Sequence, residues 1–161
     1  MTEIRLSTYI AAPIAVCFDL SRSIDVHKIS TAKTKEKAIA GRTEGLINVN
    51  ESVTWEAIHF GIKQNLTVRI SAMQRPHFFS DEMLKGAFKS MRHEHRFEVK
   101  DNGTLISDIF RYDTPFGLAG KFFDTIILKS YMTKFLESRN ETIKEIAETG
   151  KWKEILAEAN Y

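Results

Sequence analysis

Residues 88–117 read FKSMRHEHRFEVKDNGTLISDIFRYDTPFG, two runs of alternating apolar and polar residues hinged on Asp101-Asn102-Gly103. Alternation with a period of two marks strands buried on one face, and Asn-Gly is a strong hairpin signal. A tight turn over Asn102-Gly103 sets Asp101 opposite Thr104, and the same register pairs Phe97 with Asp108, His95 with Phe110 and His93 with Tyr112. Met91, His93, His95, Phe97, Val99, Ile106, Asp108, Phe110 and Tyr112 then share one face. The other carries Ser90, Arg92, Glu94, Arg96, Glu98, Ser107 and Arg111, with Leu105 and Ile109 as exceptions. Burying three arginines and two glutamates costs far more than exposing two aliphatics, so the histidine face is predicted to point inward.

The preceding hairpin gives the same picture. With Gly61 and Ile62 as its turn, Val53, Trp55, Ala57 and His59 share a face with Leu66, Val68 and Ile70, and the reverse face is mostly Thr, Glu, Asn, Lys and Arg. Strands are predicted near 36–40, 50–60, 63–74, 78–84, 88–100 and 104–113, after a first strand in EIRLSTYI. Between them, Pro13 opens a short helix and Ser23 caps a second. A long helix is predicted from Leu118 to Thr149, stopped by Gly150. Its first half, with Leu118, Phe122, Phe123, Ile126, Ile127 and Leu128, is apolar nearly all round and needs cover from protein or ligand. A tail follows in which Trp152, Ile155, Leu156 and Ala159 form a stripe, fit either to pack back or to meet a partner.

At 161 residues, with no linker, repeat or low-complexity segment, the chain is expected to form one domain over residues 1–161. A net charge of +2 makes no electrostatic case for nucleic acid or an anionic membrane surface. No apolar run reaches the length of a membrane helix, so no integral membrane association is expected. One cysteine, Cys17, excludes an internal disulfide and fits a reducing, cytoplasmic location. YIAAPIAVCF has the length of a signal-peptide core but carries Pro13 and lacks a basic leader, so no cleaved signal is expected.

The inward polar groups His59, His93, His95, Asp108 and Tyr112 need partners, which each other, water or a ligand can supply. Three chemistries compete with a purely structural polar network. The first is a ligand cavity with Trp55, Phe110, Phe122 and Ile126 as apolar wall. The second is acid/base catalysis by His95 and Asp108, for which no nucleophile or oxyanion donor is evident. The third is a zinc site from His93, His95 and Asp108, which no second ligand cluster supports; His59, three strands away, is too far to join. Cys17 reads as packing, and no glycine pattern matches a phosphate-cradling loop, so no metal or other cofactor is assigned.

The order of elements, with APIAVCFDLSRSIDVH after the first strand, GRTEGLI before the second hairpin and the quoted stretch leading into the last helix, resembles the SRPBCC or START-like (helix-grip) superfamily over nearly the whole chain. It looks most like the bacterial polyketide cyclase-like or ligand-binding proteins of that group. The resemblance implies an α+β helix-grip fold: a curved antiparallel sheet of about seven strands wrapped around a long C-terminal helix, with two short helices after the first strand. It also implies an internal cavity for a hydrophobic small molecule, lipid-like or aromatic. No catalytic set of the cyclases matches residue by residue, and GRTEGLINVNES lacks the glycine-rich loop of the pollen-allergen branch. The expected function is therefore binding of a hydrophobic ligand, with an enzyme of cyclase, dehydrase or hydrolase type and a protein-interaction module acting through the tail as alternatives.

Overall fold

The computed structural model describes residues 1–157. In chain order it contains β1 (Thr2–Ile10), α1 (Ile14–Ser21), α2 (Ile24–Ser30), a 3₁₀ turn (Ala32–Thr34), β2 (Lys37–Gly41), β3 (Ser52–His59), β4 (Ile62–Gln74), β5 (Phe78–Lys85), β6 (Ser90–Lys100) and β7 (Gly103–Asp113). These are followed by α3 (Gly117–Phe123), a π-helical segment (Asp124–Leu128), α4 (Lys129–Glu148) and α5 (Trp152–Ala157). The strands form one antiparallel sheet in the order β1-β7-β6-β5-β4-β3-β2, and α4 crosses it with α1 and α2 packed against its flank.

The local reasons for these elements are those read in the sequence. Pro13 sits at the N-cap of α1 with extended backbone, and the Ser23 side chain accepts a hydrogen bond from the Val26 amide to start α2. Gly150 takes φ +77°, the left-handed conformation that ends a helix at little cost to glycine. The tail stripe packs back: Leu156 is buried beside α1, with Trp152 and Ile155 partly covered, while Ala159 lies outside the described residues.

Both hairpin registers differ from expectation by the same step. The β6–β7 turn is Asp101-Asn102, so Lys100 faces Gly103, His95 faces Asp108, His93 faces Phe110 and Met91 faces Tyr112. The β3–β4 turn is Phe60-Gly61, with His59 facing Ile62. Each turn comes one residue earlier than predicted, which moves cross-strand pairing by two residues and therefore leaves every side chain on its predicted face. In these turns Asp101 takes φ 51°, and Phe60 and Gly61 take 52° and 74°. Gly103 answers a different demand: a Cβ there would lie 2.3 Å from the Ile10 carbonyl oxygen and 2.7 Å from the Tyr9 hydroxyl, where β1 closes on β7.

The predicted inner face is buried from Met91 through Phe97 and from Ile106 through Tyr112. Val99 is the exception, 69% exposed next to the turn, where no element covers the strand. On the outer face Glu94 is buried by guanidinium groups, with Arg96 at 2.8 Å, Arg111 at 3.0 Å and Arg92 at 3.4 Å, so the arginines lie outside as expected and cover their own counter-ion.

The long helix differs from expectation in its first third. Asp124 is buried in the π segment, and its carboxylate accepts from Thr2 on β1 and Tyr112 on β7. An acid in the middle of an apolar run thus ties the helix to two strands, and the wider π turn, with its extra residue, lets it reach them.

Gly103→Ala is expected to cost roughly 1–3 kcal/mol by forcing β1 away from β7, whereas Asp101→Gly is expected to be neutral or mildly stabilising because glycine accepts the positive φ. Urea unfolding of the two variants checks this; the opposite order would show that glycine serves the turn.

Candidate functional site

The concave face of the sheet and the long helix enclose a cavity of about 520 Å³. Its wall is apolar, from Trp55, Leu66, Val68 and Phe110 on the strands to Met132, Phe135 and Leu136 on α4. Phe60, Phe116 and Phe123 line it and are also exposed to solvent, which places the mouth between the β3–β4 hairpin tip and the start of α3.

The floor is polar. Asp81 on β5 faces His93 across the strand pair, and Phe79 faces His95, so alternation aims Phe79, Asp81, His93 and His95 together into the cavity. His95 Nε2 lies 3.2 Å from Asp81 Oδ1, and His93 Nε2 lies 3.0 Å from Asp108 Oδ1. The two imidazoles sit 3.8 Å apart, with Phe79 stacked on His95 and the Phe110 edge against His93. Behind them Asp108 also accepts from Asn140 Nδ2 at 2.6 Å. The Arg139 guanidinium reaches to 4.0 Å from Asp108 and donates to the Ser21 carbonyl. His95 Nδ1 is 2.8 Å from Asp108 Oδ1 but lies off a hydrogen-bonding direction, leaving a buried ring nitrogen without a hydrogen bond.

A second polar group lies on the side wall. His27 is stacked on Trp55 at 4.1 Å and bonded to Glu36 at 2.8 Å, and His59 Nδ1 is 2.7 Å from the Tyr131 hydroxyl.

Of the residues expected at the site, Trp55, His59, His93, His95 and Phe110 line the cavity. Asp108 stands one layer behind, bonded to His93. Tyr112 is buried but spends its hydroxyl on Asp124 instead of the cavity. Phe122 and Ile126 were expected inward and are 70% and 57% exposed: Asp124, between them, turns toward the sheet and leaves their row on the opposite side. Asp81 was missed although Phe79, Asp81 and Met83 alternate toward the core, an acid on an apolar face. Arg139 and Asn140 were missed although both fall in the buried stripe between Leu136 and Ile143.

Charges at the floor follow from this packing. Burial opposes ionisation of Asp108, yet the hydrogen bond from His93 and the close approach of the His95 imidazole outweigh it and hold the carboxyl well below its ordinary range. Asp81 is lowered in the same way, with His95 as its main hydrogen-bond partner. Burial, reinforced by the neighbouring His95, lowers the His93 pKa despite Asp108 and Asp81, favouring the neutral imidazole. The donor set for a metal differs from the one expected: Asp81, His93 and His95 each offer a ligand atom, all within 4.8 Å of one another, and Asp108 supports the imidazoles from behind. Two imidazoles and a carboxylate suit zinc or a similar divalent ion, and they also satisfy each other in part by hydrogen bonds.

These shifts fix the sign of the pH dependence. His93 faces His95, Asp81, Asp108 and Arg139, and its folded pKa lies below the ordinary imidazole value of about 6.5. The unfolded chain therefore binds the proton first as pH falls, and this contribution, full above the unfolded value, is lost below it. His59, lowered by burial, acts with the same sign. Asp108 and Asp81 contribute above the ordinary carboxylate range of about 4 and lose that contribution only at lower pH. Stability is expected to fall as pH drops through about 6.5, by up to roughly 1.4 kcal/mol per pH unit for the buried His93 and by less for the partly exposed, solvent-screened His59. His93→Gln should flatten the slope in urea melts; a flat wild-type profile would contradict the assignment.

No family model matches the chain, and no curated protein does. Solved structures match it well. A protein from Thermus thermophilus, TTHA0849, is 15% identical with a TM-score of 0.76, over 92% of this chain and 99% of that one. Major latex-like protein 151 from Panax ginseng is 16% identical with a TM-score of 0.67, over 91% and 97%. A START superfamily protein from Mycobacterium smegmatis is 9% identical with a TM-score of 0.68, also over 91% and 97%. At such identities likeness speaks for the fold alone, and on that footing, with its seven-stranded curved sheet around a long C-terminal helix, the chain has the START-like helix-grip fold.

Proposed function

We propose that the protein binds a hydrophobic small molecule, lipid-like or aromatic, inside this cavity, with its polar end on the floor formed by Asp81, His93, His95 and Arg139. The observation that carries the reading is the cavity itself, about 520 Å³ of apolar wall ending in one polar cluster. That volume lies in the range of small-molecule sites, which pair apolar walls with a few directed polar groups. Two low-pKa carboxylates and one guanidinium leave the floor with no excess positive charge, so a hydroxyl or carbonyl end suits it better than a carboxylate. An apolar body of about 200 Å² buried there contributes roughly 5 kcal/mol before the costs of association.

An enzymatic reading draws on one further observation: a buried carboxylate, Asp108, orients imidazoles that face the cavity, which is the pairing acid/base catalysis uses. It predicts turnover of a carbonyl compound that His95→Ala abolishes while binding stays within about tenfold. Loss of both in parallel would favour binding alone.

Binding is tested by titration with the neutral probe N-phenyl-1-naphthylamine. Ala57→Phe, which projects a ring into the cavity from a buried position on β3, should weaken probe binding at least tenfold while leaving the far-UV circular dichroism unchanged. Equal affinity in the folded variant would place the probe elsewhere and remove the support.

A further inference from the structure

The mouth of the cavity lies in an apolar surface that nothing among the described residues covers. Phe116 and Leu118 are 86% and 85% exposed, and Phe122 and Ile126 follow on the same helix. Phe60 at the β3–β4 tip joins the patch through its ring contact with Phe123, centroids 5.7 Å apart. Exposed apolar surface on this scale marks a place where something else docks.

The charges around the patch say what that is. From residue 115 to 136 the charged side chains are Lys121, Lys129, Lys134 and Asp124. The three lysines are exposed, whereas Asp124 is buried with its carboxylate tied to Thr2 and Tyr112. A molecule with a net charge of +2 thus presents three exposed cations and no exposed carboxylate over residues 115–136, the segment that carries its most exposed apolar side chains, before exposed Glu137 and Glu141 follow further along α4. Leu118, Phe122 and Ile126 recur every four residues in one row, with Lys121 and Lys129 beside it, the arrangement of a helix that lies in a lipid interface with lysines reaching toward headgroups. A second copy of the chain would fit poorly, because a symmetric contact centred on this patch would set Lys121 and Lys129 against their own images with no exposed carboxylate between residues 115 and 136 to neutralise them.

We infer that this face docks peripherally on an anionic lipid bilayer, with Phe116, Leu118, Phe122 and Ile126 entering the boundary between headgroups and acyl chains and Lys121 and Lys129 at the level of the phosphates. Docking would open the cavity mouth onto the lipid, but the claim stands on the surface alone and survives if the cavity holds no ligand.

Vesicle flotation of the full chain tests it. Phosphatidylcholine vesicles containing phosphatidylglycerol should carry the protein, with binding reduced by salt, and phosphatidylcholine alone should carry much less. Phe122→Glu with Ile126→Glu should lower partitioning at least tenfold, and Lys121→Glu with Lys129→Glu should remove the preference for phosphatidylglycerol; all four positions are exposed, so thermal unfolding should be unchanged. Failure to float with phosphatidylglycerol vesicles, flotation indifferent to the Phe122/Ile126 pair, or sedimentation showing a dimer that this pair dissolves would each overturn the inference.

Discussion

Once a helix covers the concave face of this sheet, every polar group on that face must find a partner out of water, and the Asp108 carboxylate is where that demand converges. It accepts from His93 on the neighbouring strand and from Asn140 on the covering helix, with His95 and Arg139 close by. One anion thereby joins sheet to helix and fixes the His93 imidazole, with His95 held beside it by Asp81. Because the partners behind the imidazoles belong to the protein, the opposite side of the cluster, with Asp81, is left facing the cavity. Removing Asn140 or His93 alone would leave the buried carboxylate one hydrogen bond short, which costs more than the mean worth of a hydrogen bond.

Much of this was legible in the sequence, for a reason that also explains the errors. Side chains on a strand alternate with period two, so the inward set from Met91 to Tyr112 survived two misplaced turns, each of which moved the register by an even number. Turn identity was less legible because a glycine reports either a positive φ or a close neighbour, and Gly103 reports the neighbour. The floor was half legible. His93 and His95 stood out, while Asp81, Arg139 and Asn140 were not singled out, although each lies on an apolar face of its element. A polar residue on an apolar stripe was the available signal.

The helix after Pro115 was the least legible element. Its apolar composition called for cover, but Leu118, Phe122 and Ile126 are left exposed by the described residues, and composition does not say which side the sheet takes. Burial of Asp124 against Thr2 and Tyr112 turns Phe122 and Ile126 outward, so residues expected to grip a ligand form an external surface instead. Net charge is equally silent about distribution: a sum of +2 does not show that the exposed charges of residues 115–136 are all cationic. Neither the fold nor its solved likenesses decides what fills the cavity, since sites and not folds carry function.

The central claim is that the space between sheet and helix is a ligand site with a polar floor and not an imperfectly filled core. A crystal structure of the protein as purified, without added ligand, tests it most directly. The account predicts continuous density along the apolar wall, ending within hydrogen-bonding distance of Asp81, His93, His95 or Arg139. A core in which Trp55, Phe110 and Phe135 have collapsed into the space, with the floor groups paired only among themselves, would contradict it.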